Sequence, residues 1–103
     1  MDSPTCITVD SKQVDKLPDT VQNALRKKVK PALVADPFWG DKIRRELWPK
    51  RYKHLPNLFR FELPDAHRGV YSALTYPGQP REIRIVWLGN HKQYDRLFGY
   101  HTS

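Results

Sequence analysis

The sequence predicts a single α+β domain over residues 1–103, because its helical and strand-like segments lie in different parts of the chain. Apolar residues between Val21 and Leu33 recur at three- and four-residue spacing, as on one face of a helix. From Leu58 onward, apolar and polar residues instead alternate with period two, as on strands. The length of 103 residues is sufficient for one core but not for two.

The first part of the chain is predicted to hold one strand and two helices. Residues 5–9 are rich in β-branched side chains and predict the first strand. A short helix over 11–17 follows, and Pro18 separates it from a second helix over 19–33. Because Pro31 lacks the N–H that an interior helical hydrogen bond requires, we expect a kink or a restart of the second helix there.

The middle of the chain is predicted to be largely irregular. Prolines and a glycine interrupt residues 36–56, which favours loop over extended helix. This segment therefore supports only a short helix over 41–47, followed by an irregular basic loop.

Alternation with period two predicts three strands, over 58–63, 68–75 and 82–88. The turn signal Tyr76-Pro-Gly-Gln-Pro80 predicts that the last two strands form an antiparallel hairpin. The last strand has apolar residues on both faces, as expected for a central position in the sheet. Gly89 and Asn90 then lead the chain into a terminal helical turn over 91–98.

The chain is strongly basic, with 18 Lys and Arg against 11 Asp and Glu, a net charge of +7 and a pI of about 9.8. This balance favours a polyanionic partner such as RNA, DNA or an acidic protein. Residues 26–60 carry 11 of the cations and only three carboxylates, so the positive charge is concentrated there. The predicted RNA-binding residues are Lys27, Lys28, Lys42, Arg44, Arg45, Lys50, Arg51 and Lys53, with Arg84 on the last strand.

Two interpretations of the basic segment remain open. Such cations can be the solvated surface of an amphipathic helix. Trp39, Trp48 and Tyr52 lie among them, however, and aromatic rings next to cations are typical of surfaces that stack bases and bind phosphates.

Several other classes of protein are disfavoured. The single cysteine, Cys6, cannot form an internal disulfide, and the four histidines lack the spacing of metal ligands. No glycine-rich phosphate loop is present, so we expect neither a metal nor a cofactor. No apolar run approaches the ~20 residues needed to span a bilayer, and the N-terminus has no apolar signal core. A cytoplasmic protein without a membrane partner is the expectation.

Cleavage of RNA through its own 2′-hydroxyl requires a base, an acid and cations beside the phosphoryl oxygens, and it requires no metal. The residues of suitable type on the predicted strands and the terminal helix are Arg60, Glu62, Arg68, His91 and Tyr94. Glu62 and His91 are acid and base types. Arg60 and Arg68, with Arg84 as a further candidate, supply cations of bidentate geometry. Tyr94 is expected to position the substrate or to join the proton transfers.

Each of these residues also has a purely structural interpretation. Glu62 with Arg60 or Arg68 is equally well explained as a cross-strand ion pair. His91 is placed to begin a helix, and Tyr94 is of a type that packs in cores. The residues alone leave both interpretations open.

Residues 57–74, NLFRFELPDAHRGVYSAL, followed by a strand and by the closing HKQYDRLFGY, resemble the RelE/ParE superfamily of type II toxins and especially its ParE-like branch. The resemblance implies an N-terminal strand and two helices packed on one face of a twisted antiparallel sheet of about four strands. Active relatives are mRNA endonucleases, often acting on ribosome-bound message. By position in the motifs, their site residues look like Arg60, Glu62, Arg68, His91 and Tyr94.

The resemblance also implies a partner and an alternative activity. Such toxins are held inactive by a cognate antitoxin, and an acidic antitoxin would match the net charge of +7. Where many relatives carry two lysines, this chain has Arg60 and Glu62, which implies a Glu-based variant of the site. ParE proteins share the fold but poison DNA gyrase, so a gyrase inhibitor using residues 95–100 and the helical pair is the alternative. A third possibility is a catalytically inactive relative that only binds nucleic acid.

Overall fold

The computed structural model describes residues 5–99. The three segments with period-two alternation form strands of one sheet, which two further strands complete. In chain order the strands are β1 Thr5–Val9, β2 Asp41–Lys42, β3 Phe59–Leu63, β4 His67–Leu74 and β5 Arg81–Asn90. The helices are α1 Ser11–Asp15, α2 Asp19–Ala24, α3 Lys30–Ala35 and α4 His91–Phe98. The predicted α+β class is confirmed.

The sheet is mixed, with strand order β1-β5-β4-β3-β2. β5 pairs antiparallel with β4 and parallel with β1, while β3 pairs antiparallel with β4 and with β2. The predicted hairpin of the last two strands and the interior position of β5 are confirmed. The expectation of about four antiparallel strands was wrong in two respects, because the sheet has a fifth strand, β2, and because β1 runs parallel to its neighbour.

β2 replaces the short helix predicted over 41–47. Asp41 pairs with Arg60 and Lys42 with Phe59, and the close approach depends on Gly40, where a Cβ would lie 2.7 Å from the Arg60 carbonyl oxygen. The Gly40 N–H also donates to the Tyr71 hydroxyl at 2.9 Å. Only a single 3₁₀ turn, Arg45–Leu47, forms inside the predicted helix. Backbone pairing at the sheet edge therefore prevails over local helical preference.

The predicted second helix is one continuous helical segment, 19–35, with a change of winding at its centre. A π-helical turn, Leu25–Val29, separates α2 from α3, and Pro31 lies in the first turn of α3. The π-helical turn ends just before the proline, which lacks the N–H for an interior helical hydrogen bond. The chain stays helical through Pro31 to Ala35, so the expected kink or restart takes the form of a local change of winding and not of a break.

The sheet has two buried faces. The helical segment covers one of them, here called the helix face, and its core consists mainly of Leu17, Val21, Leu25, Val29, Leu33, Phe59, Phe61, Tyr71, Ile83 and Ile85. The opposite side, here called the second face, is covered by α4 and by the segment between β2 and β3. Its core consists of Ile43, Trp48, Tyr52, Leu55, Leu58, Val70, Leu74, Tyr94 and Phe98. Alternation along each strand distributes side chains between these faces.

Among the helices in residues 5–99, none has both the length and the apolar character needed to cross a membrane.

Candidate active site

β3 and β4 place three charged side chains together on the second face. Phe59 and Phe61 are buried on the helix face, so the alternating Arg60 and Glu62 lie on the opposite side of β3. Glu62 is directly opposite Arg68 in the antiparallel register. Cross-strand partners lie about 5 Å apart at Cβ, which lets these side chains meet.

The N-terminus of α4 adds His91 to this group. Asn90 caps the helix in a capping box, since its side chain accepts from the Gln93 N–H at 2.8 Å and Gln93 accepts from the Asn90 N–H at 2.9 Å. The His91 N–H donates to the Ala66 carbonyl at 2.9 Å, which ties the helix start to the turn between β3 and β4. These contacts position His91 beside Glu62.

The Glu62 carboxylate is bonded from two directions. Arg68 Nε lies 3.1 Å from Glu62 Oε1, and His91 Nε2 lies 3.2 Å from Glu62 Oε2. A carboxylate only accepts hydrogen bonds, so His91 Nε2 is the donor in this contact, and Nδ1 is the other nitrogen of the ring. Glu62 remains 53% exposed and His91 41% exposed, so solvent and ligands reach both groups.

Tyr94 lies beneath the charged group rather than at its surface. Its ring is fully buried and stacks on Phe98, with centroids 4.4 Å apart. The Arg68 guanidinium lies 4.8 Å from the Tyr94 ring centroid, and that of Arg60 lies 5.9 Å away. Stacking of this kind fixes the orientation of a guanidinium. Tyr94 therefore holds the two arginines in place.

Arg60 sits between Tyr94 and the edge strand. Its Nη2 lies 3.8 Å from Asp41 Oδ2. Burial alone acts to lower the pKa of Arg60, but Tyr94, Asp41 and Glu62 favour the charged form and together raise that pKa. Within residues 5–99, the buried Arg60 Nε has no hydrogen-bond acceptor. Arg60 is thus a permanent cation.

The structure thus brings all five predicted site residues together, and it confirms the cross-strand pair that was the structural interpretation of Glu62. It forms the cross-strand ion pair with Arg68 and also contacts a histidine. This arrangement places two guanidinium groups and a carboxylate–imidazole pair within one small patch, which suits binding and rearrangement of a phosphate diester.

The predicted RNA-binding residues do not form one surface. Lys27 and Lys28 are exposed on the π-helical turn, whose Leu25 and Val29 pack on the helix face, so these lysines lie across the sheet from the site. Lys42 is exposed at a register position opposite Phe59, also toward the helix face. The concentration of charge along the sequence is therefore divided between two sides of the molecule.

Three other predicted cations are engaged locally. Arg44 pairs with Glu46 at 2.8 Å. Arg45 and Lys53 each donate to the other's backbone carbonyl, at 3.0 and 2.8 Å, and Arg45 also lies 4.9 Å from the Trp48 ring centroid. These contacts organise the loop. Lys50 and Arg51 are exposed nearby, and Arg51 lines a cavity beside β5.

Arg84 is separate from the site. Its Nε pairs with Glu82 Oε2 at 3.0 Å, and its register partner is Ser72, four residues along β4 from Arg68. At about 3.3 Å per residue this corresponds to roughly 13 Å. Arg84 is therefore not a third phosphate ligand at this patch.

Residues 95–100 were the predicted contact surface of a gyrase inhibitor. Within this segment Phe98 is buried in the second-face core, and Tyr100 lies outside the described residues.

Two features of the site were not predicted. The first is the contact of Asp41 with Arg60, which was missed because residues 41–47 were predicted to form a helix. Asp65 and Ala66 occupy the turn between β3 and β4 with φ of 56° and 55°, and the His67 N–H closes it on the Pro64 carbonyl at 3.3 Å. Two positive φ values define a type I′ turn, for which Asn-Gly is the usual signal. An Asp-Ala pair gives only the Asp part of that signal.

No group of three or more His, Cys, Asp or Glu side chains in the described part of the chain is arranged to hold a metal ion. Comparison with models of protein families, with curated proteins and with solved structures found no significant match.

Proposed function

We propose that this protein is an endoribonuclease that cleaves mRNA without a metal ion and acts as a toxin of the RelE/ParE kind. The single observation that carries the proposal is the cluster of Arg60, Glu62, Arg68 and His91 over the buried Tyr94 ring. The RelE/ParE-like assignment rests on the resemblance of residues 40–100 and on the order of strands and helices.

The two arginines bind the scissile phosphate in this proposal. Arg68 contacts Glu62 through Nε, which leaves its terminal nitrogens for the phosphoryl oxygens. Arg60 is the second cation, and the Tyr94 ring limits the motion of both guanidinium groups. Cations fixed before the substrate arrives stabilise the charge that grows on the phosphoryl oxygens in the transition state.

His91 transfers the protons. Because Glu62 accepts from Nε2, the lone pair on Nδ1 is the base that takes the proton of the 2′-hydroxyl. The 2′-oxygen then attacks phosphorus, the bond to the 5′-oxygen breaks, and the leaving oxygen takes its proton from the imidazolium. Glu62 stabilises that imidazolium and holds the ring, as a carboxylate does in other histidine-dependent sites. The products are a 2′,3′-cyclic phosphate and a 5′-hydroxyl.

The proposal includes two partners. One is mRNA, either free or on the ribosome, and the other is an acidic antitoxin that covers the exposed Glu62 and His91. Adding the purified protein to naked message and to a translating extract in parallel separates ribosome-dependent from ribosome-independent cleavage.

The experiment that tests the activity maps message 5′ ends by primer extension in a translating extract, with Arg68→Ala and Glu62→Ala beside the unaltered protein. We expect new 5′ ends that are reduced at least ~10-fold in Arg68→Ala, because a transition-state contact is lost. Arg26→Ala, which removes an exposed arginine on the helix side, is the matched control and should cleave normally. Intact message would refute the nuclease, and inhibition of gyrase supercoiling in the same preparation would establish the alternative.

A further inference from the structure

A cavity of about 530 Å³ lies beside β5, where the sheet loses its outer strand. β1 ends at Val9, opposite Ile85, whereas β5 continues to Asn90. Along this unpaired stretch, Gln13 accepts from the Leu88 N–H at 2.9 Å, and the Tyr52 hydroxyl donates to the Val86 carbonyl at 3.4 Å. The space has the size of a small-ligand site, since such pockets measure about 300–1,000 Å³.

Basic side chains line the cavity. They are Lys16 at the end of α1, Arg51 on the loop before β3, and the His67 imidazole at the start of β4. Among residues 5–99, no carboxylate side chain is part of the lining. Lys16 and Arg51 are exposed, so both cations are accessible to an anion. Cations without neighbouring acids favour a ligand that carries a phosphate.

The neutral polar groups of the lining present donors. Gln13 uses its carbonyl oxygen for the Leu88 N–H, and Asn90 and Gln93 use theirs for each other's backbone N–H in the capping box. The NH₂ groups of these three amides therefore remain to donate to a ligand. Donors in this number match a ligand edge made of acceptors, such as O6 and N7 of guanine.

An indole ring completes the cavity. The register between β4 and β5 shifts by one residue at Val86, since Val70 pairs with Trp87 and Tyr71 with Ile85. The Trp87 ring then packs over Gly89, where a Cβ would lie 2.6 Å from indole Cζ2. Trp87 is only partly buried, so its ring is accessible for stacking on a base.

The cavity adjoins the candidate active site. Gly89 is the register partner of Arg68, and Asn90 directly precedes His91. The Trp87 and Tyr94 ring centroids are 5.9 Å apart in an edge-on contact, so the indole touches the ring that supports the two arginines. A nucleotide in the cavity is thus one step along an RNA strand from a phosphate at Arg68.

We propose that this cavity binds one nucleotide of single-stranded RNA, adjacent to the phosphate that is cut, with preference for guanine. The base stacks on Trp87 and accepts from the amides, while Lys16 and Arg51 bind its phosphate. The proposal rests on the proposed function for its substrate, RNA, but the cavity is assayed by binding alone.

The test measures binding of a 2′-O-methyl trinucleotide by calorimetry, because a strand without 2′-hydroxyls cannot be cleaved. The variant is Lys16→Glu with Arg51→Glu, and the control is Lys12→Glu with Arg26→Glu, which changes the net charge equally at exposed positions outside the cavity. We expect the dissociation constant to rise at least ~10-fold in the variant and less than ~3-fold in the control. We also expect GMP to bind more tightly than AMP. Equal weakening in both proteins, or no saturable binding, would overturn the site.

The experiments distinguish failure of the nucleotide-binding proposal from failure of the nuclease proposal. Saturable binding that depends on Lys16 and Arg51, in a protein that never cuts message, would support the cavity and refute the nuclease. If the unaltered protein cuts message but the two double variants have the same dissociation constant for the trinucleotide, the nucleotide site is refuted and the nuclease proposal stands.

Discussion

Glu62 is the side chain on which the candidate site converges, since it contacts Arg68 on the neighbouring strand and His91 on α4. Its two contacts have different consequences. The ion pair with Arg68 is cross-strand and partly exposed, and pairs of this kind contribute at most about 1 kcal/mol to stability. The contact with His91 engages Nε2 and leaves Nδ1 of the same ring for the proton transfer proposed above.

Glu62→Gln keeps the shape of the side chain but removes its charge, so it separates these two roles. We expect cleavage to fall by about 10²-fold or more, the range for loss of assisted proton transfer, because an amide does not stabilise the imidazolium. The melting temperature should change by only a few degrees. Rates from a synthetic RNA substrate and thermal melts provide both readouts. Glu46→Gln, which removes an exposed carboxylate paired with Arg44, is the control, and an equal loss in both variants would contradict the assignment.

At the level of single residues, the alternation of β3 was sufficient to place Arg60 and Glu62 on the same face. Their proximity to Arg68 follows from the short hairpin connection, which the sequence also indicates. The burial of the Tyr94 side chain was not predictable, because a tyrosine on an amphipathic helix packs equally well at the surface. Its burial depends on the second-face core, which residues 43–58 complete from far away in the sequence.

The turn between β3 and β4 is the element on which the site geometry depends most directly. It carries Asp65 and Ala66 at positive φ, and its carbonyl groups accept from the His91 backbone and from the His67 ring. A left-handed conformation costs an L-residue about 1–2 kcal/mol, and glycine avoids this cost. The strain is therefore located next to the functional residues, as in many active sites.

Ala66→Gly should stabilise the protein by about 0.5–1 kcal/mol, since relief of strain exceeds the entropy lost by a glycine on folding. Urea denaturation measures the change. Ala35→Gly, at the end of α3 with no positive φ, is the matched control and should be destabilising or neutral. Destabilisation by Ala66→Gly would show that the turn carries no strain.

At the level of elements, the sequence was sufficient for the strands of the second half and for the order of helices, because hydrophobic periodicity is a local property. It was not sufficient for β2 or for the parallel pairing of β1. β2 has two residues, Asp41 and Lys42, and no periodicity of its own. Both pairings depend on partners distant in the sequence, and neither leaves a local pattern.

For the whole molecule, the net charge of +7 is distributed around the fold, because residues 26–60 contribute to the helical segment, to an edge strand and to the loop over the second face. We therefore expect nonspecific binding of RNA to depend strongly on salt concentration even though the cations do not form a single basic surface. Selective binding requires an additional structured site, such as the cavity beside β5.

Glu82 contributes to the pH dependence of stability in the acidic range. A hydrogen bond from Arg84 holds the pKa of this carboxyl below its ordinary value of about 4.5, against the effect of burial and with help from Thr8. Because the unfolded chain binds the proton more tightly, this contribution to stability is present above pH 4.5 and is lost as pH falls through the folded-state pKa.

Glu82→Gln should therefore lower the free energy of unfolding at pH 7 by about 1 kcal/mol or less, and the difference from the unaltered protein should shrink between pH 5 and pH 3. Denaturation at a series of pH values checks this. Asp15→Asn, at an exposed carboxylate of α1, is the comparison. A difference that stays constant with pH would remove Glu82 as the cause.

The parallel pairing of β1 with β5 also sets the order in which the molecule is completed during synthesis. Thr5 precedes its partner Arg81 by 76 positions, so the two strands of this pair are made at well-separated times. Contacts so distant in sequence slow folding, and the first strand has no sheet to join until the β-hairpin is present. His91 and Tyr94 follow β5, so the helix that carries them is made only after the strands it packs on. Arg60, Glu62 and Arg68 are therefore synthesised before the histidine and the tyrosine that complete the cluster.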